Sequence, residues 1–283
     1  MKILYIIIVI ILILVIYKNL KQISNFEQHT IYQIKSKEYF LDNSDINIVY
    51  FIYINPNRNW KLILEGQMND LKNTNILENN KLFVVISCDD DDNIHLAKNI
   101  VNTILVDYND NINFTIESQN LFEYPGIKKV YDLALINKNK ILIYFHSKGM
   151  VFHNRGRNNT EKLLTNNLFN NWENTLSIFM NNNDVNKIGL FPSDDGFIWY
   201  NFFWVRAEYV TKLEKPIITD NRYYYESWLN SLTNSQSLYD SYSLYNNNMN
   251  QFSQEETLRL TELLLSIDGS NAVSFDSTII RSR

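Results

Sequence analysis

The sequence predicts an α/β domain, with a mostly parallel or mixed sheet flanked by helices, behind an apolar N-terminal segment. Three observations predict this. Continuous apolar runs of strand length recur at Ile46–Ile54, Lys81–Cys88 and Lys140–Phe145. Segments with helical spacing lie between them. Hydrophobic residues make up 45% of the 283 residues, while Gly and Pro number only 7 and 4. The chain therefore has material for one sizeable core, and strands alternating with helices argue for βα units.

The N-terminal segment is read first. Met1-Lys2 precede an unbroken apolar run from Ile3 to Tyr17, followed by Lys18 and Lys21. At helical rise the run covers roughly 22 Å, short of the ~30 Å hydrocarbon core. No small-x-small cleavage site follows, so an uncleaved anchor over residues 1–21 is expected, making the protein single-pass in a membrane. A cleaved signal or a buried core element are the alternatives. Lysine on both flanks leaves the orientation undetermined. Residues 22–44 are polar and mixed, and read as a stem.

From Asp45 the domain begins. Ile46–Ile54 reads as a strand buried on both faces. Trp60–Leu77 has helical spacing. Lys81–Cys88 is a second buried strand. Asp89–Asp92 is an acidic turn that caps the next helix, His95–Val101. Thr103–Val106 is expected as a short third strand. Glu117–Ile136 reads as a helical region interrupted at Pro125-Gly126, and Lys140–Phe145 as the fourth strand. Asn159–Met180 reads as one helix. Lys187–Phe191 and Gly196–Val205 read as strands, and Glu208–Leu213 as a short helix. Asn230–Asn250 is expected to be a loop. Ser253-Gln-Glu-Glu256 is a capping box that opens a Leu-rich helix. The expected division is a domain over 45–229 and a C-terminal loop and helix over 230–283.

Composition excludes several functions. A net charge of −5 argues against nucleic-acid binding over a broad surface. One cysteine, Cys88, excludes a disulfide framework, and with four histidines it leaves little for a structural zinc site. The excess of Asn, Ile, Lys and Tyr is the imprint of AT-rich, viral-like codon usage, so most Asn need no mechanism.

Three places can carry chemistry. The first is His146-Ser-Lys148-Gly149, directly after the fourth strand. Ligands of open α/β sheets bind outside the carboxyl ends of the strands. Lys148 there can neutralise a diphosphate, His146 can orient a phosphate or move a proton, and Gly149 allows close backbone approach. His153, Arg155 and Arg157 extend the basic character. A solvated basic loop is the plain alternative. The second place is Pro192–Arg206, where Asp194, Asp195 and Asn201 punctuate an aromatic run containing Trp204. Aromatic faces beside polar groups suit the apolar faces and hydroxylated edges of sugars, although core packing explains some of these rings equally well. The third is Arg222-Tyr-Tyr-Tyr-Glu226-Ser-Trp228, where a carboxylate among aromatics suits a general base, or else an ion pair that holds a loop.

In this order the three places resemble a group of glycosyltransferases with a GT-A-like nucleotide-sugar fold, from bacteria and large DNA viruses and related to rhamnan-synthesis-type proteins. The group's His-Thr/Ser-Lys-Gly, Gly-Asn-Phe-Trp-Trp-Ala-like and Arg…Glu-x-Trp elements are similar to Tyr144-Phe-His-Ser-Lys-Gly149, Tyr200-Asn-Phe-Phe-Trp-Val-Arg-Ala207 and Arg222–Trp228. Phe122-Glu-Tyr-Pro-Gly126 and the Trp60 helix also look like the group's pattern. The resemblance spans roughly Ile46 to Leu229. It implies transfer of a sugar from a nucleotide-sugar to a hydroxyl of a glycan or glycoconjugate. Glu226, or else Asp194 or Asp195, would be the catalytic carboxylate. His146, Lys148, Gly149 and Arg155 would hold the donor diphosphate, and Asn201, Trp204, Arg222 and Trp228 would shape the sugar site. Where many GT-A enzymes carry Asp-x-Asp this chain reads His146-Ser-Lys148, which leaves Mn²⁺ or Mg²⁺ dependence open. The group's Gly before Asn is Tyr200 here.

Two other classes compete. A membrane-anchored, non-catalytic interaction module on a transferase-like fold would bind no nucleotide. A phospholipase D-like phosphodiesterase needs His-x-Lys, four residues, then Asp. His153 stands at the required Asp, and no second His-x-Lys copy exists.

Overall fold

The computed structural model describes residues 46–147, 157, 159–221, 223–232 and 240–268. The expected anchor and stem lie outside them, as do Lys148, Gly149, His153, Arg155 and Arg222. Among the described residues no helix is long and apolar enough to cross a membrane.

Seven strands form one mixed sheet in the order β3-β2-β1-β4-β6-β5-β7. They are β1 (Ile46–Tyr53), β2 (Lys81–Ser87), β3 (Ile112–Glu117), β4 (Ile141–His146), β5 (Lys187–Gly189), β6 (Phe203–Arg206) and β7 (Ser241–Ser243). The first four run parallel. β6 is antiparallel to β4 and to β5, and β7 pairs parallel with β5. The principal helices are α1 (Trp60–Lys72), α2 (Asp91–Ile104), α3 (Tyr124–Ile136), α4 (Asn159–Phe169), α5 (Trp172–Asn181), α6 (Ala207–Val210), α7 (Tyr223–Ser227) and α8 (Gln254–Asp268).

The sheet is covered on both faces, which is why its central strands are apolar without alternation. Ile46, Ile48, Tyr50 and Ile52 of β1 pack into one core with residues of α1, α2, α4, α5 and α8. Val49 and Phe51 face the other way, against α3, α6 and α7. The segment after residue 230 contributes to the same sheet and core through β7 and through Leu260 and Leu264 of α8.

Several expectations are corrected. Thr103–Val106 is not a strand. It ends α2 and enters a 3-10 turn, because Val101 and Leu105 bury the apolar side of a helix. The third strand is instead Ile112–Glu117, which lies at the edge of the sheet and has no fully buried residue. Pro125 lies in the first turn of α3 and starts it, since its missing N–H has no intrahelical duty there. Asn159–Met180 is two helices, broken at Asn170-Asn171. The expected strand Gly196–Val205 shortens to β6, and the expected loop Asn230–Asn250 contains β7. The acidic turn does cap α2: Asp90 Oδ1 accepts from the N–H groups of Asp92 and Asn93 at 2.9 and 3.2 Å. The capping box also forms, with Ser253 N donating to Glu256 at 3.1 Å and Glu256 N to Ser253 Oγ at 3.3 Å.

Candidate functional site

The chain steps from β1 to β2 to β3 on one side, then crosses back to place β4 on the other side of β1. That crossing makes a topological switch point at the carboxyl ends of β1 and β4. His146 is the last residue of β4 and is buried. The following peptide is pinned to β1, with Ser147 N donating to the Phe51 carbonyl at 3.0 Å. Because β6 runs antiparallel to β4, its entry, Tyr200–Phe202, returns to the same end of the sheet.

There β4 and the entry to β6 both reach one carboxylate, Glu123. It directly precedes α3, and its Oε1 lies 3.6 Å from His146 Nδ1. Its Oε2 accepts from Asn201 Nδ2 at 2.6 Å and from the Tyr144 hydroxyl at 3.3 Å. Asn201 Nδ2 also donates to the Tyr225 carbonyl of α7 at 3.3 Å. The other ring nitrogen of His146, Nε2, lies 3.2 Å from the Tyr200 carbonyl. The imidazole stacks on Tyr144, with centroids 5.9 Å apart and planes 14° apart, and sits 5.1 Å from Phe202.

Gly126 makes this convergence sterically feasible. A Cβ at that position would lie 2.7 Å from Phe51 Cβ and 2.8 Å from the Tyr144 ring. Only glycine lets the first turn of α3 press this closely onto β1 and β4 and carry Glu123 to His146.

Backbone strain gathers at the same place. Phe122, Tyr200 and Asn201 have φ of 53°, 68° and 61°, a region that costs Phe122 and Tyr200 about 1–2 kcal/mol each and that asparagine enters more readily. Tyr200 is a bulky residue held with left-handed backbone directly before Asn201. Asn201 is 1% exposed and its Oδ1 has no hydrogen-bond partner among the described residues. Rotating the amide would set Oδ1 against the Glu123 carboxylate, so the orphaned acceptor is the lesser cost, about 1–3 kcal/mol. Strain and an unpaired acceptor in one cluster are what a functional site retains against stability. Burial, with Glu123 adding to it, holds the Tyr144 phenol well above its ordinary range. The Tyr200 phenol is also raised, by burial first and then by Glu226 and Glu262, although its bond to Thr261 of α8 at 3.0 Å opposes the shift.

The sequence-predicted residues separate accordingly. His146 and Asn201 meet in the cluster. Glu226 lies on α7, half-buried, close enough for its charge to act on the Tyr200 phenol. Asp194 and Asp195 are exposed in a tight turn that Gly196 closes at φ 90°. The Gly196 carbonyl accepts from buried Lys187, which also pairs with Asp240 at 2.8 Å. Trp204 and Trp228 are buried in the core. Their indole N–H groups donate to the carbonyls of Leu168 at 3.0 Å and Glu214 at 2.9 Å, so neither is turned to a ligand. Arg157 extended the basic segment in the sequence, but it is committed elsewhere, bound to Glu161 and Asp70. Among the described residues no group of three or more His, Cys, Asp or Glu side chains is placed to hold a metal ion.

Glu123 is the functional candidate that the residue-by-residue reading missed. Its only signal was its place in Phe122–Gly126, one of the segments that carry the family resemblance. A separate cavity of about 440 Å³, lined by Asn75, Asn79, Asn171 and Trp172 among others, lies at the amino end of the strands, away from this cluster. Compared with protein-family models and with curated proteins, the chain matches none.

Proposed function

We propose that the protein is a glycosyltransferase with a GT-A-like fold, which moves a sugar from a nucleotide-sugar to a hydroxyl of a glycan or glycoconjugate. One observation carries the reading. His146 and Asn201, chosen from two separate sequence elements, meet at the carboxyl end of β4, at the switch point where α/β sheets take ligands. The parallel half of the sheet, β3-β2-β1-β4, is compatible with a nucleotide above its strand ends and so supports the reading, and reversed β6 delivers the second element to its edge.

In this reading the donor lies above β1 and β4. Lys148, two residues beyond His146 in the chain, neutralises the departing diphosphate, and Gly149 and Arg155 are assigned to the same donor contact. Asn201 and Arg222 border the sugar. Lys148 would supply the positive charge that a divalent cation provides in other transferases. Both ring nitrogens of His146 face protein groups, which disfavours a histidine nucleophile and with it the phosphodiesterase alternative. The N-terminal run would tether the domain to a membrane.

The experiment is calorimetry of the full-length chain, in mild detergent, against a panel of nucleotide-sugars. The wild type should bind at least one donor, and Lys148→Ala should weaken it tenfold or more. If wild type and Lys148→Ala bind every donor equally poorly, the donor-site assignment fails and the non-catalytic reading takes its place.

A further inference from the structure

We propose that the cavity of about 440 Å³ at the amino end of the strands is a binding site for a neutral saccharide. Asn80, in its lining, directly precedes β2, whereas His146 ends β4, so the cavity lies at the other end of the sheet from the candidate donor site. It is a second site, and it stands or falls independently of the transfer reading.

Two asparagine-rich turns form its walls. The first follows α1. Asn75 has left-handed backbone, φ 56°, a conformation asparagine enters more readily than most residues. The 3-10 turn Ile76–Glu78 then drives Ile76 and Leu77 into the core and leaves Glu78 and Asn79 exposed. The second wall is the break between α4 and α5 at Asn170-Asn171. The walls are tied together, because the Trp172 indole N–H donates to the Thr74 carbonyl at 3.0 Å. The first wall is also anchored from behind. Asn80 Nδ2 donates to the Ile76 carbonyl at 2.7 Å, Asn80 Oδ1 accepts from Ile46 N at 3.1 Å, and Asn111 Nδ2 donates to the Leu77 carbonyl at 2.8 Å. The cavity is therefore preformed, and its volume falls within the roughly 300–1,000 Å³ of ligand pockets.

The lining selects the ligand class. Among the described residues no lysine, arginine or histidine lines the cavity, while Glu78 and Glu173 do. A phosphate or carboxylate would meet repulsion there. The lining is mostly polar, which disfavours an apolar ligand. Carboxamide is what it offers most. The side chains of Asn79, Asn170, Asn171 and Asn174 line the space and have no hydrogen-bond partner among the described residues. Each amide both donates and accepts, as a sugar hydroxyl does. Trp172 adds an apolar surface. Its ring is half-buried, packs against the core and lines the cavity. With its N–H already committed to Thr74, what it presents is carbon, which suits the C–H face of a pyranose.

The test is calorimetry of the full-length chain, in a non-glycosidic detergent, against neutral trisaccharides of glucose, mannose, galactose and N-acetylglucosamine, with spermidine as a cationic probe. The variant is Asn79→Ala, Asn174→Ala. Both residues are exposed and their side chains hold nothing in the fold among the described residues, so its melting temperature should match that of the wild type. The wild type should bind at least one trisaccharide with a dissociation constant of about 1 mM or tighter, and the variant should bind it at least tenfold more weakly. A wild type that binds none of them up to about 10 mM would overturn the proposal. Equal binding by wild type and variant would also overturn it, because the saccharide would then sit elsewhere on the protein. Spermidine binding that the variant loses, without saccharide binding, would overturn it in favour of a cation in the cavity.

Discussion

Replacing Arg157 with methionine should be among the most damaging single changes in the domain. The guanidinium spans two helices. Its Nε donates to Glu161 Oε2 at 2.8 Å, and one terminal nitrogen donates to Glu161 Oε1 at 2.7 Å and to Asp70 Oδ2 at 2.6 Å. The Glu161 side chain is 0% exposed. Burial alone would pull the arginine's pKa down, but the bonds to Glu161 and Asp70 outweigh it and hold the group above its ordinary value. Methionine leaves Glu161 as a buried carboxylate whose one remaining donor among the described residues is the Thr165 hydroxyl, at 2.9 Å. Breaking one side of such a pair costs about 3–5 kcal/mol. For a domain of this size that lowers the melting temperature by roughly 10 °C. The double variant Arg157→Met, Glu161→Leu removes the stranded charge and should recover all but about 1 kcal/mol. Urea unfolding of the three proteins measures both effects. A loss below about 1 kcal/mol in Arg157→Met, or a double variant no more stable than the single one, would refute the reasoning. The consequence reaches the site, because Thr165 also accepts from Gln67 at 3.3 Å, and Gln67 holds the His146 carbonyl.

Three further outcomes are expected. Gly126→Ala should cost about 1–3 kcal/mol by overpacking against Phe51 and Tyr144, and should depress transfer more than stability because it shifts Glu123; equal activity at reduced stability would contradict the close-approach argument. Tyr200→Gly should be more stable than Tyr200→Ala by about 1 kcal/mol, since both lose the ring and its bond to Thr261 but only glycine accepts φ 68° without strain; thermal melts decide, and alanine equal to glycine would remove the strain. Stability should fall in alkali. Burial holds Tyr50 and Tyr144 protonated well above their ordinary value of 10.0, so the folded state keeps protons that the unfolded chain loses. Each then removes roughly 1.4 kcal/mol per pH unit above about pH 10. Lys187 works the other way. Burial outweighs Asp240 and lowers its pKa, so its contribution rises with pH, but only up to its ordinary 10.5. Urea midpoints that stay flat from pH 9.5 to 11 would contradict this.

How much of this was legible in the sequence follows from what each element depends on. β1, β2 and β4 are buried on both faces, so their apolar runs announced them. β3 is a sheet edge whose Ile-Asn-Phe-Thr-Ile-Glu pattern is half polar, and it lost the reading to Thr103–Val106, the apolar end of a helix. β7 is three residues, Ser241–Ser243, held by pairing with β5, and no local propensity marks it. At the site, His146 and Asn201 stood out because polar residues end or interrupt apolar runs. Trp204 and Trp228 stood out for the same reason and are core residues, because an aromatic beside a polar group reads alike whether it faces a ligand or a helix. Glu123 could not be chosen locally. What brings it to His146 is the approach of α3 over Gly126, a tertiary contact between segments far apart in the chain.

The central claim is that the donor binds at the carboxyl end of β4. The most direct measurement is a nitrogen-15 spectrum of the full-length chain labelled at its four histidines, with the His146 resonances identified by their loss in His146→Gln, during titration with the nucleotide-sugar that binds best. The His146 ring signals should move to saturation along the calorimetric isotherm, while those of His95, on α2, stay in place. A saturating donor that leaves His146 unmoved would contradict the account.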